Sequence, residues 1–100
     1  MLVYRWQAEK LPSKEQIMIM FESEGLEPKE EFYNGQTRIT DHRHPFNEVR
    51  FVFSGEMQLN VSGTQLLLRA GDRIEIPANT KHSFKTNQSE CLCITAQRLF

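Results

Sequence analysis

The sequence predicts a mostly β domain, a barrel or a sandwich, preceded by one short helix. Three observations predict it. From residue 30 onward, extended segments are separated by turn dipeptides: Asn34-Gly35, Ser54-Gly55, Ser62-Gly63 and Gly71-Asp72. The segments around Ser54-Gly55 and Ser62-Gly63 carry one apolar face and one mixed face. Ahead of them, Ser13 and Gln16 have the spacing of a capping box, with Gly25 a suitable residue just past a helix end and Pro28 soon after.

In chain order, residues 2–6 read as a short strand. A helix over residues 14–24 follows from the cap and stop signals, although the continuous apolar run Ile17-Met18-Ile19-Met20-Phe21 also fits a strand. Asn34-Gly35 suits a type I′ hairpin between two extended segments. Ser54-Gly55 lies between strands at 49–53 and 56–61, and Ser62-Gly63 between the latter and 64–69. Gly71-Asp72 opens a segment ending at Pro77, and a last pair of strands covers about 82–86 and 90–98.

Treating Ser54-Gly55 as a two-residue hairpin loop sets Val52 opposite Met57 and Arg50 opposite Leu59, and opposed residues share a face. One face then carries Glu48, Arg50, Val52, Met57, Leu59 and Val61, joined across Ser62-Gly63 by Leu66 and Leu68. This largely apolar face is expected inside. The other face carries Val49, Phe51, Phe53 and Leu67 and needs a cover, either the N-terminal helix or a second subunit. A homodimer is expected on that ground.

At 100 residues, with 39% hydrophobic and 10% aromatic side chains, the chain has the size and core material of one domain: 1–29 as N-terminal strand and helix, 30–100 as the β body. Twelve basic side chains against thirteen acidic ones leave no electrostatic footprint for nucleic acid. No signal-peptide pattern and no apolar run of about 20 residues is present, so no membrane partner and a cytoplasmic location are expected. Cys91 and Cys93 form a CxC pair whose side chains share a strand face; they are expected to be buried reduced thiols, the alternative being a redox or soft-metal pair.

The chain has three histidines, and they fall where a metal site would want them. His42 and His44 form an HxH pair, which in a strand points both rings to one face. Glu48 follows four residues later. His82, from another strand, completes four ligands for a divalent metal. Pro45 biases His44 toward an extended backbone. Asp41 and Arg43 are expected at the surface.

These residues resemble the cupin superfamily, as a small single-domain cupin. Its first motif matches His42, His44, Glu48 and Gly55 with spacing intact; its second matches Gly71, Pro77 and His82. Asn79 replaces the internal glycine of the second motif, and Asn tolerates a positive φ. Thr86 stands where Asn is usual, and Gly35 lies one residue too early for the glycine that opens the first motif. The resemblance implies a double-stranded β-helix, a jelly-roll-like barrel, with His42, His44, Glu48 and His82 as ligands of iron, manganese, nickel, copper or zinc. It also implies a small-molecule ligand. A metalloenzyme of the dioxygenase or isomerase class on a small polar or acidic substrate is one reading, and a non-catalytic metal- or ligand-binding sensor the other; fold alone does not choose.

Arg50 shares the inward face with Glu48, an expensive placement for an unpaired guanidinium. It is expected either to pair with and orient Glu48 or to anchor an acidic substrate; a bulge that turns it outward is the remaining option.

Overall fold

The computed structural model describes residues 2–6 and 10–99. Within them lie the strands β1 (Leu2–Tyr4), β2 (Lys29–Tyr33), β3 (Arg38–His42), β4 (Asn47–Ser54), β5 (Glu56–Val61), β6 (Thr64–Arg69), β7 (Arg73–Ile76), β8 (His82–Thr86) and β9 (Cys91–Arg98), with the helix α1 at Lys14–Ser23. Two antiparallel sheets form, one in the order β1-β7-β4-β9-β2 and the other β3-β8-β5-β6. Their inner faces enclose a core of Val52, Met57, Leu59, Val61, Leu68, Ile74, Ile76, Phe84, Cys91 and Cys93. This is the expected all-β jelly-roll arrangement with a leading helix.

The helix forms as its caps direct. The Ser13 hydroxyl accepts the Gln16 N–H at 3.2 Å, while the Gln16 amide oxygen accepts the Ser13 N–H at 2.8 Å. Gly25, at φ 78°, ends it in the left-handed region that favours glycine. The apolar run resolves by helical spacing: Ile17 and Phe21, four apart, are each 1% exposed, whereas Ile19 points outward at 62%. Ile17 and Phe21 sit on Val49, Phe51, Ile94 and Ala96, with Phe53 at the margin. The helix thus covers the outer apolar stripe, which removes the observation that motivated a homodimer. Leu67 is not part of that stripe: β6 belongs to the other sheet.

Two expected hairpins are instead crossings between sheets. β4 pairs with β7 and β9, and β5 with β6 and β8, so Ser54-Gly55 turns a corner. Gly55 has φ 79°, and a Cβ there would stand 2.2 Å from the Glu90 carbonyl oxygen, so the corner needs glycine twice over. The inward residues are nevertheless those expected, because alternation is a property of each strand and not of its pairing. Asn34-Gly35 likewise joins β2, which pairs with β9, to β3, which pairs with β8. Its positive φ falls on Gln36; Gly35 is needed because a Cβ would lie 2.1 Å from the Gln88 carbonyl oxygen. β8 and β9, close in sequence, also lie in different sheets. The Ser62-Gly63 hairpin does form, with Val61 opposite Thr64 and both loop residues at positive φ, as a type I′ turn requires.

Outside the sheet, Arg73 grips the Glu24 carboxylate through both terminal nitrogens, at 2.6 and 2.7 Å, and lies over the Phe21 ring. Arg98 bonds Glu24 and Glu75, each at 3.0 Å. The helix end is thereby tied to β7 and β9. The hydrogen bond from Arg73, working against desolvation, holds the Glu24 carboxyl below its ordinary 4.5.

Two predictions follow from this packing. Phe21→Ala removes a ring buried between helix and sheet and should cost about 3–5 kcal/mol; urea denaturation showing a loss under about 1 kcal/mol would mean that the helix is not docked in solution. Because the folded pKa of Glu24 lies below the unfolded one, its contribution is complete above about pH 4.5 and is lost as pH falls through the folded value. Glu24→Gln should lower stability at neutral pH and flatten the acid limb of the stability–pH profile. An unchanged acid limb would show the carboxylate to be unpaired.

Candidate metal centre

Three elements bring the histidines to one end of the barrel. His42 closes β3 and His82 opens β8, and the two are register partners across that ladder, next to a β-bulge after Ile39. His44 lies past the end of β3, in the connection to β4, rather than in the strand with His42 as expected. It is held by its neighbours instead: its ring stacks on Phe46, with centroids 4.8 Å apart and planes 9° apart. Its carbonyl accepts the Asn79 N–H at 2.7 Å. Asn79 adopts φ 59°, the conformation a glycine would take at that point. Asn47 fastens the same loop, its side-chain oxygen accepting the Ala78 N–H at 2.8 Å and its amide donating to Glu75. Arg43 donates to the Asn79 carbonyl, and Asp41 pairs with Lys81 at the surface.

The imidazole centroids stand 4.7 Å (His42–His44), 4.2 Å (His42–His82) and 5.3 Å (His44–His82) apart. One ring nitrogen from each lies within 4.8 Å of the other two, so the three could hold one metal ion. Their tautomers are set for it. His42 Nδ1 lies 2.9 Å from the Thr40 carbonyl oxygen and His82 Nδ1 lies 2.8 Å from that of Thr80. A carbonyl can only accept, so Nδ1 carries the proton and Nε2 presents its lone pair. His82 Nε2 is buried and has no hydrogen-bond partner among the described residues. A stranded lone pair facing two further imidazoles fits a transition metal. Burial holds the His82 imidazole below its ordinary pKa, favouring the neutral, ligating form.

Glu48, on β4 in the opposite sheet, places Oε1 3.3 Å from His44 Nε2 and 3.9 Å from His82 Nε2. Its other oxygen, Oε2, accepts Arg50 Nε at 3.0 Å. Arg50 is 2% exposed and faces inward. Its remaining nitrogens reach Glu31 at 3.0 Å and the Tyr33 hydroxyl at 3.5 Å, and its guanidinium lies over the Phe84 ring at 4.9 Å. Glu31 also accepts the Tyr33 hydroxyl. Burial opposes ionisation of Glu31, but Arg50 and Tyr33 outweigh it and hold the carboxyl below its usual range. Glu31 and Tyr33 were not singled out from the sequence; their signal is the alternation Lys29, Glu31, Tyr33 on one face of β2.

Cys91 and Cys93 are free, wholly buried and 3.8 Å apart at Sγ. Their mutual hydrogen bond and burial raise the Cys91 thiol, while the same bond, against desolvation and with help from Arg50, lowers that of Cys93.

No helix among the described residues is long and apolar enough to cross a membrane. Comparison with known proteins adds relatives. The chain is similar to the acireductone dioxygenase of Leishmania major, 37% identical over an alignment of 62 residues that covers 57% of this chain and 18% of that protein. It is similar also to the quercetin 2,3-dioxygenase of Bacillus subtilis (strain 168), 37% identical over an alignment of 49 residues that covers 48% of this chain and 14% of that one. It therefore spans less than a fifth of the length of either. Its fold superposes on a cupin-2 domain containing protein from Shewanella frigidimarina NCIMB 400 with a TM-score of 0.65 and 23% identity, covering 73% of this chain and 70% of that one. The sequence model of the cupin domain matches residues 29–95, which embrace all three histidines, Glu48 and Arg50. By that match over most of its length, and by the double sheet that carries the site, the chain belongs to the cupin family.

Proposed function

We propose that this cupin is a small metalloenzyme of the dioxygenase or isomerase class, holding a divalent transition metal through His42, His44, His82 and Glu48 and acting on a small polar or acidic molecule. The observation that carries this reading is the buried, unpartnered Nε2 of His82, aimed at the other two imidazoles. Iron, manganese, nickel, copper and zinc all accept three imidazoles and a carboxylate. Such an ion would supply a Lewis acid and, where redox-active, access to oxygen chemistry.

The chain's own residues do the arranging. The Thr40 and Thr80 carbonyls fix which nitrogen is free on His42 and His82. Arg50 holds Glu48 Oε2, so that the carboxylate offers Oε1 alone to the histidine side. With its nitrogens on Glu48, Glu31 and Tyr33, Arg50 serves orientation of Glu48 better than the direct anchoring of a substrate. Burial works against the Arg50 charge, but Glu48 and its neighbours outweigh it and keep the guanidinium ionised. A second reading, a metal- or ligand-binding module without turnover, is supported by the packed interior, which is filled by Met57, Leu59, Leu68 and Phe84.

Protein purified without added metal should carry about one equivalent of transition metal, measured by plasma mass spectrometry. His44→Ala and His82→Ala should each lower that content at least about tenfold, and chelation should lower the melting temperature of the wild type alone. Unchanged metal content in His44→Ala would refute the site. Arg50→Met leaves the buried Glu48 carboxylate without its ion-pair partner and should cost about 3–5 kcal/mol, together with metal retention. If metal stays and only affinity for acidic ligands falls, Arg50 is a substrate anchor instead. Oxygen uptake or isomerisation across a panel of small diketones, catechols and hydroxy acids separates the enzyme from the sensor.

A further inference from the structure

Resting on the metal-centre reading above, we infer that Lys29, Thr95 and Gln97 form the anchor for a carboxylate group of the small molecule bound at the metal. The placement comes from β9. Cys91 and Cys93 belong to the barrel interior, and Ile94 and Ala96 lie under the helix, so Thr95 faces the interior, and Gln97, of the same parity, is exposed where the strand runs out at the histidine end. The register sets Thr95 directly between Arg50 on β4 and Lys29 on β2, and Gln97 opposite Glu48. Thr95 is 3% exposed, yet its Oγ1 has no hydrogen-bond partner among the described residues. A buried hydroxyl without a partner is costly, and native interiors rarely leave one. The other buried side-chain atom in that condition among the described residues is His82 Nε2. Both stranded groups therefore belong to the same end of the barrel, one suited to a metal and the other to a molecule beside it.

The chemistry of the row favours an anion. A lysine ammonium, a hydroxyl and a primary amide can all donate to a carboxylate. The Lys29 side chain is 61% exposed and lies 3.8 Å from Glu31 Oε2, while Arg50 and Tyr33 share Oε1. Lys29 and Arg50 balance Glu31 and Glu48, so the charge of a divalent ion at the neutral imidazoles would remain to be met by its ligand. A cleft of about 460 Å³ beside the strand end has Lys29 and Gln97 in its wall, together with Ala96, Arg98 and the segment after the helix. Glu24 and Glu27 also line it, Glu24 being neutralised by Arg73 and Arg98.

The test is calorimetric titration of the metal-loaded protein with pyruvate and benzoate, and with their neutral counterparts pyruvamide and benzamide, the metal content of each sample being measured alongside. The wild type should prefer each carboxylate to its amide by about tenfold. Thr95→Val, which keeps the side-chain shape, should weaken carboxylate binding about tenfold and leave metal content unchanged, and Thr95→Ser should restore binding. Lys29→Met should abolish the preference for carboxylate over amide. Wild-type affinity in Thr95→Val overturns the proposal, as do equal affinities for acid and amide, absence of binding by either carboxylate, and parallel loss of metal and ligand in Thr95→Val. A wild type that holds no metal but shows the Thr95-dependent carboxylate preference overturns the metal centre and leaves the anchor standing.

Discussion

A guanidinium sits inside this barrel, and the histidine end is organised around it. Arg50 is 2% exposed. Removing such a charge from water costs several kcal/mol unless the surroundings replace the lost hydration. Here they do so from three strands. Glu48 comes from the same strand, Glu31 and Tyr33 from β2, and the Phe84 ring from β8 in the opposite sheet. Burial works against the charge, but Glu48 and the neighbouring groups outweigh it and push the Arg50 pKa up. The same field works on Tyr33, whose phenol is pushed upward mainly by burial and so stays a donor to Glu31. The geometry of Glu48 follows from this arrangement. With one oxygen committed to Arg50, the other is left 3.3 Å from His44.

Much of the fold was legible because it depends on local rules. The Ser13–Gln16 capping box, the glycine after the helix and the Ser62-Gly63 turn each act within a few residues, and each forms as read. The inward set from Glu48 to Leu68 was legible because alternation is local as well. Pairing is not. A glycine at positive φ serves a hairpin and a sheet-to-sheet corner equally well, and what distinguishes Gly55 is the Glu90 backbone pressed against it, 35 positions on. Asn34-Gly35 misleads for the same reason, since the contact that requires Gly35 is the Gln88 carbonyl.

The proposed site divides along the same line. His42, His44, Glu48 and His82 were legible from motif spacing, and Arg50 from its parity with Glu48. Glu31, Tyr33 and Thr95 were not, because their relation to Arg50 passes through the ladders that join β2 to β9 and β9 to β4. No short-range pattern announces that Lys29 will lie beside Thr95. The strand position of His44 was misjudged because Pro45 and the bulge before His42 end β3 early; stacking on Phe46 and the Asn79 hydrogen bond hold the ring instead.

The donors of the proposed centre are not on one sheet, and that gives it a mechanical consequence. His42 and His82 belong to β3 and β8, Glu48 to β4 in the other sheet, and His44 to the segment that joins them. A ligand shared by these side chains would tie the two layers together at one end, where the interior is polar and hydrophobic packing contributes least. At the other end the sheets are joined by the Gly55 corner and by the 34–37 turn, where the Thr86 hydroxyl bonds the Asn34 carbonyl and the Thr37 N–H. At the histidine end the 43–46 and 77–81 connections also cross between the sheets, and side-chain electrostatics adds to them: Arg50 with its carboxylates, and the histidines with whatever they bind. Occupancy of the site and separation of the sheets are then linked equilibria, because an ion that binds only the closed arrangement stabilises it. Affinity for the ion and rigidity of the barrel mouth are two measures of one coupling.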